Sequence, residues 1–212
     1  MANAMNAQDK PTLIYVGDPM CSWCYGFGDE IAEVIKELGD DVNLEVVMGG
    51  LRPYNTQTMT DLKDFLTDHW KHVHDASGQP FQYDILDTEL LYDTEPACRA
   101  VMIARELQPE SVMTYFHKVQ SAFYADNKNP HLTATYADIA ERMGIDRSIF
   151  SQRFESEEYK KLIKNDFLRA SQLGVRSFPT VLLMKDGETN VVSAGYAKAE
   201  KVINNVRKVI SE

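Results

Sequence analysis

Two cysteines three positions apart are the residues of this sequence with the clearest capacity for chemistry. Cys21 and Cys24 lie in the stretch GDPMCSWCYGF, and the 212-residue chain has only one further cysteine, Cys98. A pair with this spacing can form a reversible disulfide, supply half of a metal site, or consist of two inert buried thiols. The neighbouring sequence favours the redox reading.

The predicted position of the pair gives different roles to two identical side chains. The β-branched and aromatic run at 12–16 predicts a buried strand that ends in a turn at Pro19, and a helical pattern follows the cysteines. Unpaired N–H groups at a helix start stabilise a thiolate, so Cys21 is the expected nucleophile. Cys24, one turn later on the same face, would resolve the mixed disulfide that forms at Cys21.

Strand and helix patterns divide the chain into three parts. Residues 12–53 follow the order strand, helix, strand, whereas residues 54–172 lose the strand signals and contain a succession of helical patterns. Residues 173–212 return to two strands joined through Asp186-Gly187 and end in an amphipathic helix. These patterns predict an α/β domain with a large all-helical insertion between its second and third core strands.

Two stretches of the sequence resemble one protein family. DPMCSWCYGF is similar to the active-site stretch of DsbA-like thioredoxin-fold oxidoreductases, in particular a cytoplasmic FrnE-type branch related to kappa-class glutathione transferases and 2-hydroxychromene-2-carboxylate isomerases. LGVRSFPTVLL resembles the family element in which a cis-proline begins the third core strand and faces the cysteines. The resemblance implies a thioredoxin-like fold whose two halves are the first and third parts of the chain.

The same resemblance implies which residues carry the reaction. Catalytic roles fall to Cys21, Cys24 and Pro179, with a cis bond between Phe178 and Pro179. Trp23 is expected at an exposed position, and aromatic side chains are common on recognition surfaces. The predicted substrate-binding residues are Ser22, Trp23 and Phe178.

Departures from the family pattern bear on the expected reaction. Tyr15 stands where thioredoxin and the exported oxidoreductases carry an acidic residue, so no carboxylate relay is expected there. The isomerases and kappa transferases carry serine at the position of Cys21, which favours thiol chemistry in this chain. DTEPACRA more weakly resembles a helix start of those enzymes, but Asp93 and Cys98 replace its Asn and His, so no role is transferred to them.

Histidines supply weaker signals. His69 and His72 share a predicted helical face, but a structural zinc site usually needs four protein ligands, and Cys98 has no partner at metal-binding spacing. We predict no metal site. Cys98 is expected to be a small buried helix residue, and the other histidines are expected to be structural or on the surface, namely His74, His117 and His131.

Composition excludes some partners. The formal net charge of −10 would repel nucleic acid and anionic lipid surfaces, and no long apolar stretch predicts a membrane span. The first eleven residues lack the apolar run of a signal peptide, so we expect a cytoplasmic protein.

The function predicted from these signals is thiol–disulfide oxidoreductase or isomerase, acting on disulfide- or thiol-containing proteins or small molecules. No dissociable cofactor is expected, because the dithiol itself carries two electrons; glutathione or a dithiol protein would act as the reducing co-substrate. Two alternatives remain open at this point. One is a glutathione-dependent transferase or isomerase, and the other is a non-catalytic thioredoxin-fold binding module.

Overall fold

The computed structural model describes residues 10–212, in which a four-stranded sheet is surrounded by helices. The spatial order of the strands is β2-β1-β3-β4; β2 runs parallel to β1, and β3 runs antiparallel to both β1 and β4. The central strand β1 is buried from its second residue onward, as expected for a continuous apolar run covered on both faces. The strands are β1 (Thr12–Gly17), β2 (Asn43–Met48), β3 (Thr180–Lys185) and β4 (Glu188–Ala194).

Six of the α-helices lie between β2 and β3, which confirms the predicted helical insertion. Two single 3-10 turns, at Asp84–Asp87 and Pro109–Ser111, connect some of them. The helices are α1 (Ser22–Gly26), α2 (Gly28–Leu38), α3 (Met59–Ser77), α4 (Glu95–Leu107), α5 (Val112–Tyr124), α6 (Thr133–Arg142), α7 (Arg147–Glu155), α8 (Glu157–Gln172) and α9 (Ala199–Ser211).

Helix α7 was not predicted from the sequence. It buries only Phe150 and Phe154, which is too short an apolar pattern to identify a helix. The Asp146 carboxylate caps its first turn by accepting a hydrogen bond from the backbone N–H of Ile149 at 2.8 Å. The helix after the cysteines also differs from the prediction, because it is divided at Phe27 into the short α1 and the longer α2.

The hairpin between β3 and β4 confirms the predicted Asp186-Gly187 turn. Both residues have positive φ, 53° and 83°, which is the geometry of a two-residue type I′ turn. Glycine adopts that backbone without a steric penalty, and aspartate tolerates it better than most residues. The turn brings β4 back along β3, and α9 then packs against α2 and the two strands.

Helix α4 is the centre of the insertion. Its residues from Glu95 to Ala104 are all buried, so the helix lies within the protein rather than on its surface. Two of these buried residues are charged, and they form an ion pair: the Arg99 guanidinium donates to the Glu95 carboxylate at 2.7 and 3.1 Å. Arg99 also donates to the Phe154 carbonyl of α7, which joins two helices of the insertion.

A second ion pair joins the insertion to the sheet. Arg105 of α4 donates to both carboxylate oxygens of Asp166 of α8, at 2.8 and 2.9 Å. The same two side chains bind the backbone of strand β2: Asp166 accepts from the Met48 N–H at 2.9 Å, and Arg105 donates to the Val46 carbonyl. The main cluster of buried apolar residues accordingly includes members of the sheet, the insertion and α9.

Candidate active site

Cys21 lies at the start of α1, immediately after the turn that follows β1. Its N–H donates to the Asp18 carbonyl at 3.0 Å, and the Asp18 carboxylate accepts from the Met20 N–H at 2.8 Å, so the turn is closed by its own hydrogen bonds. The carbonyl of Cys21 accepts the Tyr25 N–H at 3.0 Å, which makes Cys21 the N-cap of the helix. The residue as a whole is 6% exposed, and its thiol donates to the Phe178 carbonyl at a sulfur–oxygen distance of 3.7 Å.

Cys24 lies one helical turn further on and is 0% exposed. Burial raises the pKa of its thiol well above the usual value, and its hydrogen bond and charge interaction with Cys21 raise that pKa further. The Tyr15 hydroxyl hydrogen-bonds to the Cys24 thiol and acts in the opposite direction, lowering its pKa. The two thiols are therefore in contact, and Cys21 keeps a small exposed fraction whereas Cys24 has none.

Phe178 and Pro179 lie next to the Cys21 thiol, on the segment that enters β3. Their peptide bond is cis, and β3 itself begins one residue later than predicted, at Thr180. The Pro179 carbonyl accepts the Gly195 N–H at 2.7 Å, which links the segment to the end of β4.

Gly49 allows this segment to approach β2 closely. A Cβ atom at residue 49 would lie 2.1 Å from the Phe178 ring, so any other residue would displace that ring. The sequence alone gave no indication of this role, because the two residues are far apart along the chain.

The two residues between the cysteines differ in exposure. Ser22 is buried to the same degree as Cys21, with 5% and 6% of their surfaces exposed, and its predicted substrate contact stays a prediction. Trp23 is half-buried rather than exposed, because its ring packs between Tyr196, at a centroid distance of 5.8 Å, and His69, at 6.1 Å. The predicted recognition surface at Trp23 therefore includes a residue of the insertion and one of the final segment.

Residues 13–202 match the family model described as thioredoxin. The chain belongs to the thioredoxin family. Among solved structures, it is 32% identical to a "putative protein disulfide isomerase" from Nitrosomonas europaea, with 95% of this chain and 98% of that chain covered and a TM-score of 0.88. The family membership confirms the thioredoxin-like fold with a helical insertion.

More distant solved structures share the fold. Cytosolic disulfide reductase DsbM from Pseudomonas aeruginosa is 23% identical, with 94% and 98% of the two chains covered and a TM-score of 0.77. A 2-hydroxychromene-2-carboxylate isomerase is 14% identical, with 94% of each chain covered and a TM-score of 0.62. The match to the thioredoxin model and the 32% identical neighbour confirm the predicted thioredoxin-fold family, and these more distant neighbours share the fold.

Asp18 is a site residue of this thioredoxin-family chain that sequence reasoning missed. Its carboxylate is fully buried and accepts hydrogen bonds from the Met20 N–H, the Leu51 N–H at 2.6 Å and the Cys98 thiol at 3.3 Å. Burial raises the pKa of Asp18, although the backbone hydrogen bonds oppose that shift. The sequence signal was present in Asp-Pro before the cysteines, but it indicated only a turn.

Cys98 is buried, as predicted, and it also has a partner that was not predicted. Burial raises the pKa of its thiol well above the usual value, and the neighbouring Asp18 charge raises it further. Cys98 therefore supports the Asp18 carboxylate from α4 and remains a protonated hydrogen-bond donor at neutral pH. The insertion thus reaches the turn that carries the dithiol.

Several buried tyrosines lie behind the cysteines. Tyr92 donates to the Met20 carbonyl at 2.5 Å, and Tyr25 stacks on Tyr124 with ring centroids 4.9 Å apart. Burial raises the pKa of Tyr15, Tyr92 and Tyr124, so all three stay neutral in the physiological range. These tyrosines place neutral hydroxyl groups behind the cysteines, including Tyr15 at the position where an acidic residue was expected to be absent.

Three histidines contact neighbouring groups of the protein itself. The His74 ring is 2.8 Å from the Gln79 carbonyl, the His131 ring is 2.8 Å from the Leu91 carbonyl, and His69 packs against Trp23. Within residues 10–212, no three His, Cys, Asp or Glu side chains are grouped so that they could hold a metal ion. The same residues include no helix with the length and apolar character needed to cross a membrane.

Proposed function

We propose that this protein is a thiol–disulfide oxidoreductase that acts on protein or small-molecule disulfides through Cys21 and Cys24. The observation that carries the proposal is the asymmetry of the pair: Cys21, whose thiol donates to the Phe178 carbonyl, keeps 6% of its surface exposed, whereas Cys24 is 0% exposed. An attacking thiol needs access to its substrate, and a resolving thiol needs access only to the attacking one. The family membership supports the same activity in general terms.

In the reducing direction, the Cys21 thiolate attacks one sulfur of the substrate disulfide. The substrate S–S bond breaks, a mixed disulfide forms at Cys21, and the other substrate sulfur leaves as a thiolate that takes up a proton. Cys24 then loses its proton and attacks the Cys21 sulfur. An intramolecular disulfide forms, and the substrate leaves with two electrons and both thiols reduced.

The substrate would lie along the segment at Phe178 and Pro179. The Phe178 carbonyl faces the Cys21 thiol, so substrate backbone or sulfur placed here would meet the nucleophile at short range. Trp23 would supply an apolar contact, and its ring packs against those of Tyr196 and His69. Ser22 is assigned to the same catalytic turn, where its burial helps to hold the turn in place.

Glutathione or a dithiol protein would return the cysteines to the reduced state. Two glutathione thiols would reduce the Cys21–Cys24 disulfide in two exchange steps and leave as glutathione disulfide. The cytosolic disulfide reductase DsbM of Pseudomonas aeruginosa was also solved with glutathione, which supports this choice of co-substrate and a cytoplasmic location for this protein. The reaction requires no metal or dissociable organic cofactor.

The test is reduction of insulin disulfides by the full-length protein in the presence of glutathione. Cys21→Ser should abolish turnover, because a serine hydroxyl does not supply a nucleophilic anion at neutral pH. Cys24→Ser should trap a mixed disulfide on Cys21 that mass spectrometry detects. Cys98→Ser is the control, since its hydroxyl can still donate to Asp18, and it should keep turnover within about twofold of wild type.

Three results would contradict the proposal: wild-type turnover by Cys21→Ser, an adduct on Cys98, or glutathione conjugation or isomerisation that survives Cys24→Ser. The third would favour the glutathione-dependent transferase or isomerase. Retention of a partner protein by Cys21→Ser without any exchange activity would instead favour a binding module.

A further inference from the structure

The short segment between β4 and α9 joins the two parts of the proposed substrate surface. Those parts are Trp23 on α1 and the Phe178-Pro179 segment that enters β3, and they are far apart along the chain. The Gly195 N–H donates to the Pro179 carbonyl at 2.7 Å. The next residue, Tyr196, packs its ring against that of Trp23 at a centroid distance of 5.8 Å. Two consecutive residues therefore contact both parts of the surface.

The far end of this segment is bound to α2. The Glu30 carboxylate accepts hydrogen bonds from the Lys198 ammonium and from the backbone N–H of Ala199, both at 2.7 Å. The second of these bonds satisfies one of the free N–H groups at the start of α9. The backbone on either side of Tyr196 is thus held by hydrogen bonds to other elements of the fold.

The Tyr196 hydroxyl fixes the position of the half-buried ring. It donates to the Ala76 carbonyl of α3 at 3.2 Å and accepts from the Lys198 ammonium at 2.9 Å. Hydrogen bonds to charged groups are stronger than those between neutral groups, so the second bond restrains the hydroxyl firmly. The ring also meets the buried Phe27 edge to face, with centroids 6.4 Å apart. The face that Tyr196 presents to Trp23 is therefore set by three separate contacts.

Trp23 depends on its neighbours for its own position. Helix α1 has only five residues, and a helix of that length is not stable without tertiary contacts. The rings of His69 and Tyr196 pack against the half-buried Trp23 ring. His69 in turn stacks on Phe65, which is 58% exposed, whereas Tyr196 is held by its hydroxyl. The firmer of the two supports is therefore Tyr196.

We propose that Tyr196 is a positioning residue that holds Trp23 at a fixed place relative to the Phe178-Pro179 segment, so that one stretch of a protein substrate contacts both. For substrates, this inference rests on the proposed oxidoreductase function. A protein substrate extends beyond its disulfide to Trp23, whereas a small disulfide needs to reach only the Cys21 sulfur. Tyr196 thereby favours protein disulfides over small ones.

The first test compares insulin with bis(2-hydroxyethyl) disulfide as substrates of the full-length protein, with glutathione as reductant. Tyr196→Phe keeps the ring and removes the hydroxyl, and the ratio of kcat/KM for insulin to kcat/KM for the small disulfide should fall about fivefold. Tyr196→Leu also removes the ring contact with Trp23, so that ratio should fall at least about tenfold. In both variants, KM for insulin should rise by a larger factor than kcat falls.

Tyr159→Phe is the matched control for the loss of a tyrosine hydroxyl. Tyr159 donates to the Glu106 carboxylate at 2.9 Å, a contact between α8 and α4 within the insertion. This variant should keep the wild-type ratio between the two substrates.

The second test observes Trp23 without any substrate. The chain has two tryptophans, Trp23 and Trp70, so protein labelled with 5-fluorotryptophan should give two ¹⁹F nuclear magnetic resonance signals, which Trp23→Phe assigns. Tyr196→Phe should shift or broaden the Trp23 signal. The signal of Trp70, which is 0% exposed and lies on α3, should stay at its wild-type position.

Three results would overturn the proposal: a wild-type substrate ratio in Tyr196→Leu, an unchanged Trp23 signal in Tyr196→Phe, or equal changes in the Trp23 and Trp70 signals, which would indicate a general structural effect. The ¹⁹F measurement requires no catalysis. If the wild-type protein reduced neither disulfide, the proposed function would fail, and the ¹⁹F signals would still decide whether Tyr196 positions Trp23.

Discussion

The two sides of the Cys21–Cys24 turn are built by different parts of the chain. On the Cys21 side, the neighbours are Phe178 and the half-buried Trp23, and Cys21 itself is 6% exposed. On the Cys24 side, the sheet and the insertion supply tyrosines such as Tyr15, and the thiol is 0% exposed. Two identical residues thus acquire different access to solvent from their surroundings alone, and burial raises the pKa of Cys24.

This difference shows what the insertion contributes to the dithiol. Tyr92 fixes the Met20 carbonyl, and Cys98 supports Asp18, so the turn before Cys21 is held from the rear by residues of the insertion. The open side then needs only a short loop and a few aromatic rings. The helical insertion therefore acts as the rigid support of the reactive turn.

The strongest test of this comparison is the alkylation rate of the three thiols. With brief iodoacetamide treatment of the reduced protein at pH 7, Cys21 should be labelled at least about 100-fold faster than Cys24 or Cys98. Both slower thiols are fully buried, and burial raises the pKa of each, so their thiolate fraction is very small. Peptide mapping by mass spectrometry measures the rates.

Urea-unfolded protein is the control for that experiment, because all three cysteines should then react at similar rates. Labelling that begins at Cys98 or Cys24 in the native protein would show that Cys21 is not the most accessible thiol.

A smaller effect is expected from removal of the Tyr15 hydroxyl. Tyr15→Phe takes away a hydrogen bond that lowers the pKa of Cys24, so that pKa should rise and less thiolate should form. Release of the mixed disulfide from Cys21 should slow about tenfold in single-turnover experiments, while the initial attack keeps its rate. Tyr136→Phe is the control, because this buried tyrosine donates to the Pro130 carbonyl within the insertion. Equal slowing in both variants would show that the Tyr15 hydroxyl has no specific effect on Cys24 and that Tyr15 contributes only through packing.

The smallest expected effect concerns Asp18 and pH. Burial raises the pKa of Asp18 in the folded protein above its unfolded value of about 3.9, so folding favours the protonated form. Its stabilising contribution is fully present below about pH 4 and is lost as pH rises through the folded pKa. The free energy of unfolding of wild type relative to Asp18→Asn should therefore decrease between pH 4 and pH 7.

Urea titrations at both pH values measure that difference, and Asp64→Asn at an exposed position of α3 is the matched control. An increase in relative wild-type stability toward pH 7 would show that the hydrogen bonds to the Asp18 carboxylate outweigh its burial.

Features set by neighbouring residues were accessible from the sequence. The run that forms β1, the spacing of Cys21 and Cys24, and the turn at Asp186-Gly187 each depend on local chemistry, and the structure has each of these elements at the expected position. Helix α7 was missed because Phe150 and Phe154 alone do not make a pattern. Local signals therefore predicted the order of elements well.

Contacts between distant residues were not accessible in this way. Asp18 meets Cys98 across 80 positions, and each residue has an ordinary local explanation, as part of a turn and as a small helix residue. Gly49 beneath Phe178 is a similar case. A lone sequence contains no signal for such pairs, because the tertiary fold creates the proximity.

The ion pair of Arg105 and Asp166 has a further consequence for the edge of the sheet. Strand β2 lies at that edge, where free backbone groups would invite a strand from another molecule to pair. Asp166 takes the outward N–H of Met48, and Arg105 takes the outward carbonyl of Val46. The insertion thereby protects the sheet against edge-to-edge aggregation, and a chain that loses this pair would expose a template for intermolecular β-pairing.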